Sequence, residues 1–375
     1  MKYYIIAGEA SGDLHGSNLI RALQKEAPEI DIRFWGGDRM SALAGEPVKH
    51  IKDLAFMGFV EVIANLRTIL KNISFCKADV LAFKPDALLL IDYPGFNMRI
   101  AEFAQQNNIP VHYYVSPQIW AWKQNRIHKI KKFVDEMYCI LPFEKDFYAK
   151  FDREVHYVGH PLVDAIQHFK KTAIDPIAFR NEFGLSDKKL MALLPGSRLQ
   201  EIKLKLPIML DAAKRFNEME IVVAGAPNIP EAYYQELAKD IPIKVISNRT
   251  YDILNQAHLA MVTSGTATLE TALFKVPQVV CYKGNPISVT IARRLIKVPY
   301  ISLVNLIINR EVVKELIQKD LTANAIYDTL YALNEGEKRE ALMQDYETLE
   351  RVLGDGGASE KIAHLILSST TKRVE

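Results

Sequence analysis

Cysteine is scarce in this chain. Its three cysteines, Cys76, Cys139 and Cys281, lie far apart with no CxxC pairing, which argues against a disulfide framework or a thiolate metal site and fits a reducing compartment. An excess of one charge is also missing. The 47 basic residues are offset by 45 acidic ones, so the molecule as a whole offers no electrostatic case for nucleic acid as its partner, and any basic patch must be local. No stretch approaches the roughly 18 to 20 continuous apolar residues that a membrane span needs, and the apolar run after Met1 and Lys2 is too short for a signal-peptide core. A cytoplasmic protein whose membrane contact, if any, is peripheral is the expectation. No two aspartates are separated by a single residue and there is no HExxH pattern. A metal-bound nucleotide sugar and a zinc site are therefore not expected, nor is a cofactor, and any leaving phosphate must be neutralised by the protein itself.

What is present is an alternation of short apolar runs and helical patterns. Strands are expected at residues 2–7, 32–35, 87–91, 111–115, 136–140 and 155–158. A second series follows at 190–194, 220–224, 243–246, 259–262 and 278–282. Such alternation predicts mostly parallel sheets covered by helices, and 375 residues suggest two units rather than one core. The expected division is an N-terminal α/β domain over residues 1–170, a second over 185–320, and a helical C-terminal segment, 321–375, packing across both.

Four apolar residues, Leu88 to Ile91, deliver Asp92 into a Tyr-Pro-Gly turn. A carboxylate at the carboxyl end of a buried strand stands where open α/β sheets bind ligands, so Asp92 is a candidate general base; a cap for the helix that follows is the plainer alternative. After the first strand come glycines at every fourth position, Gly8, Gly12 and Gly16. That is a doubly wound start without the GxGxxG spacing, and Glu9 makes the loop better suited to a hydroxyl-rich or neutral group than to a phosphate. Arg198 ends another strand-turn and could hold two phosphate oxygens. Ser264, Gly265 and Thr266 lead a strand into a helix whose free N–H groups suit a phosphate, with Glu270 one turn on and suited to vicinal ribose hydroxyls. Trp120, Trp122 and Lys123 could form a sugar platform, an interfacial anchor or a packed corner. A helix over residues 58–73 carries an apolar stripe of Phe59, Val62, Ile63, Leu66, Ile69, Leu70 and Ile73. Such a stripe normally docks on a core; the apolar lead-in at residues 54–57 and the basic run 123–132 leave lipid contact as the other reading.

Together, residues 7–13 (AGEASGD), 57–62 (MGFVEV), 91–97 (IDYPGFN), 114–122 (YVSPQIWAW), 193–198 (LLPGSR), 264–270 (SGTATLE) and 302–306 (SLVNL) resemble the lipid-A-disaccharide synthase family. The resemblance implies two Rossmann-like domains of GT-B architecture and a metal-independent, inverting glycosyl transfer. The donor would be UDP-2,3-diacylglucosamine and the acceptor 2,3-diacylglucosamine 1-phosphate, giving a β(1→6) disaccharide and UDP. By the same resemblance Asp92 is the base, Glu9 and Ser11 orient the acceptor, and Arg198, Ser264, Gly265, Thr266, Glu270 and Asn305 serve the UDP side. The stripe, Phe59, Val60, Val62, Ile63, Leu66, Ile69 and Leu70, becomes a membrane or acyl contact at the cytoplasmic face of the inner membrane, and a homodimer is compatible with the family. A UDP-sugar epimerase of the same architecture and a non-catalytic nucleotide-sugar-binding protein are the alternatives.

Overall fold

The computed structural model describes residues 1–54, 66–285, 289 and 298–374. It divides into two compact units, Met1–Asp164 with Gly356–Glu375, and Ala165–Asp355.

In the first unit β1 (Lys2–Ala7), β2 (Asp31–Gly36), β3 (Lys49–His50), β4 (Ala87–Ile91), β5 (Val111–Tyr114), β6 (Glu136–Cys139) and β7 (His156–Tyr157) form a sheet in the order β3-β2-β1-β4-β5-β6-β7. Every pairing is parallel. The central strands are unbroken apolar runs because both faces are covered. Tyr4, Ile6, Leu88, Leu90 and Tyr113 join the core on one face, while Tyr3, Ile5, Ala7, Leu89, Ile91 and Tyr114 join the other. The helices Leu66–Phe83, Pro94–Gln106 and Ile127–Phe133 supply side chains to the first of these cores. The helix Ala10–Glu26 and the last helix, Ala358–Val374, supply the second. Asp164 ties that last helix down by accepting from the N–H groups of Gly357 at 2.6 Å and Ser359 at 3.0 Å.

The second unit repeats the plan. Strands β8 (Lys189–Leu194), β9 (Met219–Gly225), β10 (Lys244–Ser247), β11 (Ala257–Thr263), β12 (Gln278–Tyr282) and β13 (Lys314–Ile317) pair in the order β10-β9-β8-β11-β12-β13, all parallel. The helix Leu199–Ala213 buries Ile202, Leu206, Met209 and Leu210 against one face.

Two edge strands and the length of one helix differ from the reading of the sequence. Strands β3 and β13 were not foreseen; both lie at sheet edges, where polar composition such as Lys-Glu-Leu-Ile is tolerated because only one side is paired. The helix expected at 58–73 runs on to Phe83, since Ile73, Cys76 and Val80 continue its buried face at three- and four-residue spacing; residues 55–65 lie outside the described part. The helical C-terminal segment expected at 321–375 is present: Ala323–Ala332 and Glu337–Leu353 belong to the second unit and Ala358–Val374 to the first.

Candidate active site

In the first sheet β1 and β4 are neighbours although β2 and β3 separate them in the chain, so the strand order reverses between them. Ligands of open parallel sheets bind outside the carboxyl ends of the strands at such a point. Ala7 pairs with Ile91 and Ile91 with Tyr114, so the turns after β1, β4 and β5 leave the sheet side by side. They carry Glu9, Asp92 and Val115.

Asp92 and Tyr93 are consecutive left-handed residues, at φ 46° and 49°. Each such non-glycine residue costs about 1–3 kcal/mol, and it persists only where the surroundings hold it. Here the Asp92 N–H donates to the Tyr114 carbonyl at 3.0 Å. Its own carbonyl accepts from Asn97 Nδ2 at 2.8 Å and from the Tyr113 hydroxyl at 2.5 Å. Asn97 is fully buried, and the same amide nitrogen donates to the Ile91 carbonyl at 3.2 Å, binding the turn to the strand end. The Tyr93 ring lies against Gly8, where a Cβ would come within 2.4 Å of the ring. Gly8 is thus a close-approach position, and the rest of the turn could not close on a larger residue.

The helix Pro94–Gln106 takes Tyr93 as its N-cap and has no side-chain cap bond, so Asp92 is not a cap. Its carboxylate is half-buried, accepts from the Tyr93 N–H, and forms no ion pair among the described residues. Burial, and then the neighbouring charge of Glu9, push the carboxyl up to about 6. That is a suitable poise for a base working near neutrality. Glu9 caps the start of the helix Ala10–Glu26 through its backbone, and Ser11 is exposed in that helix's first turn. Asp13, in the same motif, is structural: it accepts from the N–H groups of Gly37 at 2.7 Å and of Arg39 and Met40, both at 3.1 Å.

In the second sheet the order reverses between β8 and β11. Arg198, exposed, stands at the N-cap of Leu199–Ala213, beyond the turn that ends β8. Beyond β11, Gly265 at φ 146° is the N-cap of Thr266–Leu273 with no side-chain cap bond, and the space where its Cβ would stand is open. The positive end of this helix and the first-turn N–H groups of Thr266 and Ala267 form a place for an anion. Ser264 donates its hydroxyl to the Ile301 carbonyl at 2.8 Å. Glu270 accepts from the Tyr251 hydroxyl at 3.0 Å, and burial raises its carboxyl above the usual range while that bond opposes the shift.

Asn305 needs a correction. Expected on the UDP side, its side chain is fully buried and all its bonding capacity is used inside the unit. Nδ2 donates to the Val313 carbonyl and to Glu315 Oε1, both at 2.9 Å, and Oδ1 accepts from the N–H groups of Val312 at 2.7 Å and Val313 at 2.9 Å. Glu315 also accepts from Ile301 N at 3.0 Å and Ser302 N at 2.9 Å. Asn305 therefore braces the turn on which Ser264 rests, and holds no bond for a nucleotide. Asn305→Ala, which strands several buried backbone groups, is expected to lower unfolding stability by roughly 2–4 kcal/mol, read as a shift in denaturation midpoint. Neither Glu315 nor Tyr251 was singled out in the sequence; their partners lie 10 to 19 residues away or more and leave no local pattern.

Of the stripe residues, Leu66 and Leu70 point outward, 47% and 49% exposed. Ile69 instead packs against the core of the first unit, so it is no lipid contact: its position on the wheel turns it to the sheet. Phe59, Val60, Val62 and Ile63 lie outside the described residues. Trp120 is a packed corner, donating to Glu144 at 3.2 Å, whereas Trp122 is exposed. No helix of the described residues is long and apolar enough to cross a membrane. Among those residues no three His, Cys, Asp or Glu side chains gather as a metal site would need.

Two Rossmann-like sheets, each with its chemistry-bearing turns at the point of strand reversal, define the chain as an α/β protein of the GT-B class. Solved structures share this fold. The UDP-GlcNAc 2-epimerase of Neisseria meningitidis bound to UDP-GlcNAc superposes with a TM-score of 0.70 at 17% identity, covering 98% of this chain and 100% of that one. The epimerase of Methanocaldococcus jannaschii gives 0.68 at 16% identity, over 98% and 100%. At that identity the likeness is one of fold alone. The family model for lipid-A-disaccharide synthetase matches residues 3–365, and the chain belongs to that family. Lipid-A-disaccharide synthases of Syntrophus aciditrophicus and Nitrosococcus oceani are 39% and 40% identical to it. They cover 98% and 97% of this chain, and 97% and 95% of their own lengths are matched. The chain is accordingly a glycosyltransferase, and the epimerase alternative is not favoured.

Proposed function

We propose that the protein transfers 2,3-diacylglucosamine from UDP-2,3-diacylglucosamine to the 6-hydroxyl of 2,3-diacylglucosamine 1-phosphate, with inversion and without a metal. The observation that carries the reading is Asp92, a half-buried carboxylate raised to about 6 on a strained turn at the reversal of the first sheet. Asp92 takes the proton of the acceptor hydroxyl as that oxygen attacks the anomeric carbon, opposite the departing diphosphate. Glu9 and Ser11 orient the acceptor. On the donor side Arg198, the first-turn N–H groups after Gly265 and the Thr266 hydroxyl take the charge developing on the diphosphate, while the Ser264 hydroxyl holds the turn through the Ile301 carbonyl, and Glu270 accepts from the ribose hydroxyls. The test is direct: UDP release and disaccharide formation on mixing donor and acceptor, with neither product when the acceptor is withheld.

The exposed Leu66 and Leu70 support peripheral attachment to the inner membrane at its cytoplasmic face. Leu66→Ser with Leu70→Ser should move the protein from the vesicle pellet to the supernatant in co-sedimentation while leaving UDP affinity unchanged. Retention on vesicles would remove these side chains from the contact.

A further inference from the structure

The proposed acceptor carries a phosphate, yet the carboxyl edge around Asp92 is acidic, since Glu9 stands beside it. A phosphate therefore calls for cations outside that edge. The turn after β5 supplies two. Val115 at φ 63° and Lys123 at φ 53° are left-handed, an unusual conformation for lysine and more so for a β-branched residue. They bracket a loop that begins beside Asp92, whose N–H is bonded to Tyr114. At the end of that loop Trp122 is exposed, with Lys123 Nζ 4.5 Å from its ring centroid and the Arg126 guanidinium carbon 5.1 Å from it. Neither cation forms an ion pair among the described residues. Tyr113, whose hydroxyl donates to the Asp92 carbonyl, lies within electrostatic reach of both Asp92 and Arg126.

Resting on the function proposed above, we infer that Lys123 and Arg126, aligned on the Trp122 indole, form the subsite for the phosphate monoester of the glycolipid acceptor. Two cations match a dianion. The guanidinium offers a two-pronged grip on phosphate oxygens, and the ammonium adds a point charge. The indole keeps both cations extended and gives the neighbouring sugar an apolar face. A phosphate held here and a 6-hydroxyl held at Asp92 fix the acceptor by its two ends, so this pair sets which hydroxyl reaches the base.

Steady-state rates with the phosphorylated acceptor and with its dephosphorylated form test this, for the wild type and for Lys123→Ala/Arg126→Gln. The wild type should prefer the phosphorylated acceptor in kcat/KM by roughly ten- to a hundredfold, the worth of one or two bonds to a charged group. In the double variant that preference should vanish through a higher KM, with donor KM and the rate on the dephosphorylated acceptor unchanged, and Arg126→Lys alone should keep part of it. The unchanged rate on the second acceptor shows that the variant is folded. A phosphate preference equal in wild type and variant overturns the subsite. So does equal weakening with both acceptors together with lost binding to phosphatidylglycerol vesicles, which assigns the cations to the membrane surface. No UDP release by the wild type with the phosphorylated acceptor would instead sink the function on which the subsite rests.

Discussion

Asp92→Asn is expected to lower kcat by 10²- to 10⁴-fold, the usual worth of general-base catalysis, while UDP affinity measured by calorimetry stays nearly unchanged. The amide keeps the size of the side chain and can still accept from the Tyr93 N–H, so the left-handed turn has no reason to relax. What is lost is the acceptor of the proton. A variant keeping more than about a tenth of the wild-type rate would remove Asp92 from that role. The pH profile gives a second handle. A base must be ionised to act, so kcat/KM should rise with pH through about 6 and then level, following the raised carboxyl of Asp92. Burial is the larger cause of that shift and the negative charge of Glu9 the smaller. Glu9→Gln removes only the smaller one, so the limb should move to lower pH without disappearing. An unmoved limb means that the titrating group is another.

Gly8→Ala is the second large effect. A single methyl would stand 2.4 Å from the Tyr93 ring, well inside van der Waals contact, so either the ring or the first strand end must give way. Overpacking of this kind costs typically 1–3 kcal/mol. The catalytic cost is greater, because Tyr93 is the second of the two left-handed residues and its displacement drags Asp92: a shift of about 1 Å at a reacting group can cost 10²-fold in rate. The double variant Gly8→Ala/Tyr93→Ser removes the ring and should recover much of the rate. If the single variant is as active as wild type, the ring does not hold the turn; if the double variant stays as slow as the single one, Gly8 acts by some other route.

Most strands were readable because they are short apolar runs ending in a turn residue, a pattern confined to a few positions, whereas the polar edge strands β3 and β13 carry no such pattern. Asp92 could be found for the same reason: it ends such a run. The glycines at positions 8, 12 and 16 were visible as a pattern, but their reason was not. Gly8 makes room for Tyr93, and Gly16 for Met40, whose sulfur would be 2.6 Å from an added Cβ. Asn305 misled in the other direction. As a polar residue in a family motif it pointed to a ligand, whereas folding surrounds it with Glu315 and the 312–313 backbone and consumes every bond it can make. The apolar stripe mixed two roles, because it was read as one face: Ile69 shares the arc of Ile73, Cys76 and Val80 and turns to the core, while Leu66 and Leu70, at its edge, face outside.

Local order along the chain was enough to specify two parallel sheets, the turns that end their strands and the residue types in those turns, because periodicity and turn chemistry act between near neighbours. Which of those turns stand together was decided only when β4 paired with β1 and β11 with β8. The poise of the Asp92 carboxyl was settled at the same stage, since desolvation and the proximity of Glu9 exist only once strands distant in sequence have closed on one another.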